Sequence, residues 1–254
     1  MKIVVCYKIV PDADELSVNI DRSLNLKDAV MEIGQYDLRA VEEGARLAAA
    51  TGGNVIALTV GGEIVTNSKL RKGILSRGPS EMMAVQDAEL ACADSLQTAK
   101  ALKAAVEKIG GVDLVLCGEG SSDEYNQQVG NLLGGLLGWT TVNSVSKIDA
   151  AEDKLKLERS VEDGIELMEV SLPAVISVTS DINVPRIPSM KDILAAGKKP
   201  AEFCTAADLG GVAPAASCVN EVLAPQQRDR RQIIIEKADE NGIAEFVGYI
   251  RKAL

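Results

Sequence analysis

The first absence in this chain of 254 residues is histidine, which does not occur at all. Histidine is the usual proton shuttle and the commonest metal ligand, so we expect neither a catalytic residue nor a metal site. We expect a protein that holds a ligand rather than one that breaks bonds. Aromatic residues are only 3% of the chain, which argues against a platform that stacks nucleic-acid bases. The formal net charge of −10 argues against nucleic acid and against an anionic membrane surface as partners.

Long hydrophobic runs and paired cysteines are also lacking. No apolar run approaches the roughly 20 residues that a helix needs to span a bilayer, and the start MKIVVCYKIV has no signal-peptide pattern. The five cysteines lie far apart without a C-x-x-C pair, and Cys6 and Cys117 fall in predicted buried strands, where a thiol behaves as a small apolar group. We therefore expect a cytoplasmic protein with reduced thiols and no membrane insertion.

What the chain does have is an alternation of β-branched runs and amphipathic stretches over its first 140 residues. This alternation predicts an α/β fold, a mostly parallel twisted sheet flanked by helices. After Trp139, runs joined by tight turns such as Glu162-Asp163-Gly164 predict added antiparallel strands. The predicted elements are strands Lys2–Tyr7, Asn54–Val60, Met82–Val85 and Val112–Cys117, helices Leu38–Ala50, Asn67–Leu75, Ser95–Ile109 and Asn126–Leu137, a hairpin Ser17–Lys27, and later strands Ser144–Ile148, Lys154–Val161, Ile165–Val170 and Val175–Val178.

The composition divides the chain into a domain, residues 1–200, and a C-terminal arm, residues 201–254. The segment Ala206–Pro225 is rich in Ala, Gly and Pro and has little periodicity, which is typical of an extended arm. A predicted strand, Gln232–Glu236, and an amphipathic helix, Ile243–Ala253, follow it. An arm of this kind needs a surface to lie on, which indicates an obligate partner.

The most informative segment is a polar, Gly-rich loop directly after the apolar run Val112–Cys117. A strand, such a loop and a helix of small residues aim unpaired backbone N–H groups at one point, an arrangement that suits a phosphate. Ligands of parallel sheets bind at the carboxyl ends of the strands, here Cys6–Pro11, Val60–Gly62 and Cys117–Ser122. The predicted nucleotide cradle consists of Gly118, Glu119, Gly120, Ser121, Ser122, Asp123, Glu124, Tyr125, Asn126, Gln127, Gln128 and Val129.

Ten short motifs in a fixed order carry a family resemblance. They are CYKIVPD at 6–12, IGQYD at 33–37, VGG at 60–62, LSRGP at 75–79, CGEGSSD at 117–123, QVG at 128–130, EDGIE at 162–166, LPAV at 172–175, TSDIN at 179–183 and PSMK at 188–191. Together they resemble the beta subunit of the electron transfer flavoproteins, and most closely its FixA-type branch. The likeness extends over the whole chain.

This resemblance implies an adenine-nucleotide alpha-hydrolase-like fold and a heterodimer with a FixB-like alpha subunit, which carries most contacts to an electron-transferring FAD. The beta subunit would hold AMP, or a second FAD in electron-bifurcating members. It would be an electron-carrier subunit rather than an enzyme. Its redox partners would be an acyl-CoA-type dehydrogenase or a quinone oxidoreductase, with anaerobic carnitine reduction as one pathway of FixA-type proteins.

The resemblance also assigns residues. Tyr36 takes the position that contacts the alpha-subunit flavin, and the loop 181–191 matches the family's recognition loop, with Met190 at its apolar anchor beside Ile187. Met190 packing against the core is the alternative. Many relatives have Asn-Pro where this chain has Gly34-Gln35, which leaves AMP or FAD open. Mapped onto this sequence, the family's nucleotide site comprises Cys6, Gly34, Gln35, Tyr36, Asp37, Val60 and the cradle.

Three further interpretations are weighed from the residues. Lys8, near a strand end, either neutralises a phosphate or a reduced flavin or is an ordinary solvated or salt-bridged lysine. A nucleotide-sensing regulator of the universal-stress type is an alternative function, but such domains are shorter and the long segment after Trp139 argues against one. A nucleotide hydrolase or synthetase is disfavoured because no Walker-type Gly-Lys-Ser/Thr loop occurs.

Overall fold

A computed structural model describes residues 1–151, 153–226 and 232–253. Its strands are β1 (Lys2–Cys6), β2 (Ile9–Pro11), β3 (Ser17–Val18), β4 (Leu24–Asn25), β5 (Met31–Ile33), β6 (Asn54–Gly61), β7 (Glu81–Gln86), β8 (Leu114–Gly118), β9 (Thr140–Ala151), β10 (Lys154–Val161), β11 (Gly164–Ser171), β12 (Ala174–Val178) and β13 (Ala201–Cys204). Its helices are α1 (Gln35–Thr51), α2 (Ser68–Leu75), α3 (Ser95–Ile109), α4 (Val129–Leu137), α5 (Met190–Ala196) and α6 (Glu240–Ala253).

One sheet of nine strands, in the order β11-β10-β9-β12-β8-β1-β6-β7-β13, organises the chain. The run from β9 to β13 in that order is parallel throughout, and only β10 and β11 at one edge add antiparallel pairs. The central strand β1 reads as an unbroken apolar run because helices cover both faces of the sheet. Helices α1, α2 and α5 pack on one face, and α3 and α4 on the other.

The α/β architecture predicted from the sequence is confirmed, with differences in detail. The helix predicted from Asn126 begins at Val129, because Tyr125 and Gln127 have φ values of 50° and 55°, which no right-handed helix contains. β12 was predicted within an antiparallel group but lies parallel between β8 and β9. Gln232–Glu236, predicted as a strand, has no regular secondary structure.

The segment after residue 200 behaves in two ways. Its first part belongs to the body, since β13 pairs with β7, and Leu209 and Val212 pack against the core beneath α3 and α4. Farther along, Leu223 forms an isolated β-bridge to Ser23. Ser23 lies in the β3–β4 hairpin, and this hairpin is predicted from the sequence. Residues 227–231 of the predicted arm lie outside the described residues.

The last helix, α6, contains no buried residue within the described part of the chain. In those same ranges, no helix combines the length and apolar character that crossing a membrane requires.

Candidate functional site

Three neighbouring parallel strands end together at one edge of the sheet. β1 lies between β6 and β8, with Cys6 in register with Leu58 and Val5 in register with Leu116. The structure therefore brings Cys6, Val60 and Gly118, which lie far apart in the sequence, to the same edge. The loop that follows Gly118 and the first turn of α1 complete this edge, which we call the carboxyl edge.

Asp37 connects the elements of the carboxyl edge through hydrogen bonds to their backbone. It lies buried in the first turn of α1, where its Oδ2 accepts a hydrogen bond from the backbone N–H of Lys8 at 2.7 Å. Its Oδ1 accepts a second bond from the N–H of Gly118 at 3.3 Å. Burial raises the pKa of Asp37 to about 7, although both hydrogen bonds favour the ionised form.

Gly118 is required by this close approach. A Cβ at residue 118 would lie 2.7 Å from Asp37 Oδ1 and 2.7 Å from the Cβ of Tyr36. Gly34 is similarly close, since a Cβ there would lie 2.9 Å from Asp37 Oδ2. Gly34 and Gly118 thus let α1 begin directly against the strand ends.

Lys8 takes part in an ion pair. Its ammonium Nζ lies 2.6 Å from Asp123 Oδ2 and 3.9 Å from Glu124 Oε2, which ties the turn after β1 to the loop after β8. Burial acts to raise the pKa of Asp123, but the hydrogen bonds from Lys8 and Ser121 and the charge of Lys8 together outweigh it, so the net shift is downward. Of the two interpretations weighed for Lys8, the structure shows the ion pair.

Two tyrosines hold the middle of the loop. The ring centroids of Tyr36 and Tyr125 lie 5.3 Å apart at an interplanar angle of 46°. The Tyr125 ring also covers Gly120, where a Cβ would lie 2.5 Å from it. Tyr125 N–H donates to the carbonyl of Ser121, so the loop folds back over itself against the start of α1.

The start of α4 offers hydrogen-bond donors at the same edge. Leu132 is the first residue of the helix whose N–H reaches a carbonyl, that of Gln128 at 2.9 Å. The N–H groups of Val129, Gly130 and Asn131 have no acceptor among the residues that the structure describes. Such groups at a helix N-terminus suit an anion such as a phosphate.

Close packing places this helix start against the sheet. A Cβ at Gly130 would collide with Ser177 Oγ on β12, and one at Gly134 would collide with Thr141 Oγ1 on β9. Ser177 was not among the residues predicted for the site. Its signal in the sequence is one polar residue near the end of an otherwise apolar strand, AVISV.

Cys6 contributes its backbone rather than its thiol to the carboxyl edge. Its side chain is buried beside that of Cys117, and the hydrogen bond between the two thiols, with burial, raises the pKa of Cys6. Both thiols are free, as is expected of buried cysteines that act as small apolar groups.

The loop 181–191 follows the carboxyl end of β12 and is tied to α1. The Arg186 guanidinium donates to both carboxylate oxygens of Glu42, at 2.7 and 3.0 Å, and Asn183 Nδ2 donates to the carbonyl of Arg39. Ile187 is 94% exposed and Met190 73% exposed, so Met190 does not pack against the core.

A model of the electron transfer flavoprotein domain family matches residues 24–209. The match covers well over half of the chain and includes the first turn of α1, the whole cradle and the loop 181–191. It supports the resemblance noted from the motifs and disfavours the universal-stress alternative. The chain belongs to the electron transfer flavoprotein family.

Proposed function

We propose that this chain is the beta subunit of a FixA-type electron transfer flavoprotein and that it binds an adenine nucleotide, AMP or FAD, at the carboxyl edge. The observation that carries the proposal is the convergence there of open N–H groups from α4 with the backbone of Cys6, Val60 and Gly118. In this role the chain holds and orients cofactors and does not itself transform a substrate.

The residues at the carboxyl edge fit such a nucleotide. The free N–H groups of Val129, Gly130 and Asn131 are donors for a phosphate, and Gln127 and Gln128 add exposed amides beside them. The strand ends at Cys6 and Val60 offer backbone groups that can pair with the polar edge of an adenine. An FAD bound between subunits would supply the redox chemistry, and Tyr36, half-buried on Tyr125, would form part of its pocket.

The partner chain we propose is a FixB-like alpha subunit, and α6 supports this. Its apolar residues Ile243, Phe246, Val247 and Ile250 recur at helical spacing, and all four are exposed within the described residues. Faces of this kind are typical of surfaces that another chain covers.

The loop 181–191 is the proposed docking site for the redox partners, an acyl-CoA-type dehydrogenase or a quinone oxidoreductase. Its exposed Ile187 and Met190 are held in place by the ion pair between Arg186 and Glu42. A flexible thioether on a fixed loop suits contact with more than one partner. Electron transfer in the cytoplasm, for instance in anaerobic carnitine reduction, is the process we propose.

Co-expression tests the proposal. Produced with the alpha subunit encoded in the same genome, the chain should purify as a yellow 1:1 heterodimer. Produced alone, it should aggregate through the uncovered apolar face of α6. A stable, colourless monomer with no affinity for AMP or FAD would contradict the proposal.

A further inference from the structure

Asp37 is an unusual residue for its position in the molecule. It is only 8% exposed, and within the described ranges no lysine or arginine nitrogen lies within 4.0 Å of its carboxylate. The Lys8 ammonium, the cation that favours its ionised form, is paired with Asp123 instead. Burying a carboxylate without an ion-pair partner costs free energy, so stability alone does not account for a carboxylate at this position.

Other contacts already hold the two segments that Asp37 joins. The turn after β1 is already held by the pairing of β2 with β5 and by the bond from Gly34 N–H to the Lys8 carbonyl at 2.9 Å. Gly118 is already held in register with Val178 of β12. What the carboxylate adds is a fixed spacing between the turn after β1 and the start of the cradle.

We infer that Asp37 is a positioning residue of the nucleotide site: its two oxygens hold the turn at Lys8 and the cradle at Gly118 in the spacing that the nucleotide requires. The inference rests on the proposed function. The Lys8 side chain in turn holds Asp123. Gly118 and Asp123, which bound the first half of the cradle, therefore both depend on Asp37. The resemblance assigns Asp37 to the residues that contact the nucleotide directly. Its role in this inference is indirect, because it acts through the backbone of Lys8 and Gly118.

The charged state of Asp37 matters to this role. A carboxylate accepts at both oxygens, whereas a carboxylic acid carries a proton on one of them and loses an acceptor. The titratable groups that face it are the Lys8 ammonium, the Asp123 carboxylate and the thiol of Cys6. Of these only Lys8 favours the ionised form.

The substitution Asp37→Asn tests the inference, because it keeps the volume and removes one acceptor. In the full chain, purified with its partner subunit and freed of nucleotide, we expect calorimetric titration to show AMP and FAD binding weakened about tenfold or more. Amide exchange should be faster at Lys8 and Gly118. The matched control is Glu43→Gln on the same helix, also buried but bonded to Asn183, which should leave affinity within about twofold.

Each result decides between the two proposals. Wild-type protein that binds nucleotide while Asp37→Asn binds it equally well overturns the positioning role alone. Wild-type protein that binds neither AMP nor FAD overturns the proposed nucleotide site itself, whatever the exchange data show.

If Asp37→Asn does not fold, wild-type protein gives the answer. Between about pH 8 and pH 6, the exchange protection of Lys8 and Gly118 should fall several-fold as Asp37 takes up its proton. The Tyr7 N–H, bonded to the Leu58 carbonyl, should keep its protection. Unchanged protection at all three amides overturns the inference.

Discussion

The centre of the sheet and the last helix show opposite relations between apolar sequence and burial. In β1 the side chains of Ile3, Val4 and Val5 are entirely buried, with helices on both faces. In α6, Phe246 has a comparable apolar side chain at a regular helical spacing, yet it is 56% exposed. The body therefore satisfies its own apolar residues, whereas α6 carries an apolar face that the described residues leave exposed, the kind of face that another chain typically covers.

Removing residues 232–254 should have the largest effect, and only on assembly. We expect the heterodimer to fall below detection in co-purification and sedimentation, because the truncation deletes the exposed apolar face of α6. The free energy of unfolding of the body should change by less than about 1 kcal/mol, since α6 buries no residue within the described part.

A matched point variant sharpens this prediction. Phe246→Ser should weaken assembly, whereas Glu245→Gln, the neighbouring acidic residue of the same helix, should not. A truncated chain that still forms the heterodimer, or whose body loses several kcal/mol of stability, would show that α6 belongs to the body.

Within the body, two adjacent glycines of α4 should respond in opposite directions. Gly134→Ala should lower the free energy of unfolding by about 3 kcal/mol, because its methyl group collides with Thr141. Gly135→Ala faces open space and should raise it by about 0.5–1 kcal/mol through helix propensity. Urea unfolding measures both, and equal effects would contradict the close contact of α4 with β9.

The buried charge of Asp37 predicts a smaller, pH-dependent effect. Its pKa rises on folding from 3.8 to about 7, so folding takes up a proton in that window and the stability from this group falls as pH rises through it. Asn does not titrate, so Asp37→Asn should gain stability relative to wild type by about 3 kcal/mol between pH 5 and pH 8. Paired urea titrations measure this difference, and a constant difference would mean that Asp37 is not buried as described.

The smallest effect on the body is expected at the loop 181–191. Met190→Ala should change the free energy of unfolding by less than about 0.5 kcal/mol, because the side chain is 73% exposed. Electron transfer with the dehydrogenase should nevertheless slow, as measured by stopped-flow reduction, while Lys191→Ala leaves the rate within about twofold. A large loss of stability would place Met190 in the core after all.

Much of the body follows from the sequence, because β1 and β8 are apolar runs that alternate with amphipathic helices. The loop at Gly118–Val129 was found for the same reason, since it directly follows such a run. β13 was missed because AEFC is short and has little β-branched character.

Contacts between distant residues could not be predicted. The hydrogen bond between Asp37 and Gly118 joins residues 81 apart in the chain, and no local pattern indicates it. The parallel direction of β12 was hidden for a related reason, since periodicity defines a strand but not the direction of its neighbours.

The central claim is that an adenine nucleotide is held at the carboxyl edge of this subunit. The most direct test is mass spectrometry of the small molecules released when the purified heterodimer is denatured. We predict one AMP per heterodimer together with one FAD, or two FAD if both sites take a flavin. Recovery of no more than one FAD and no AMP, from a complex that still transfers electrons, would contradict the claim.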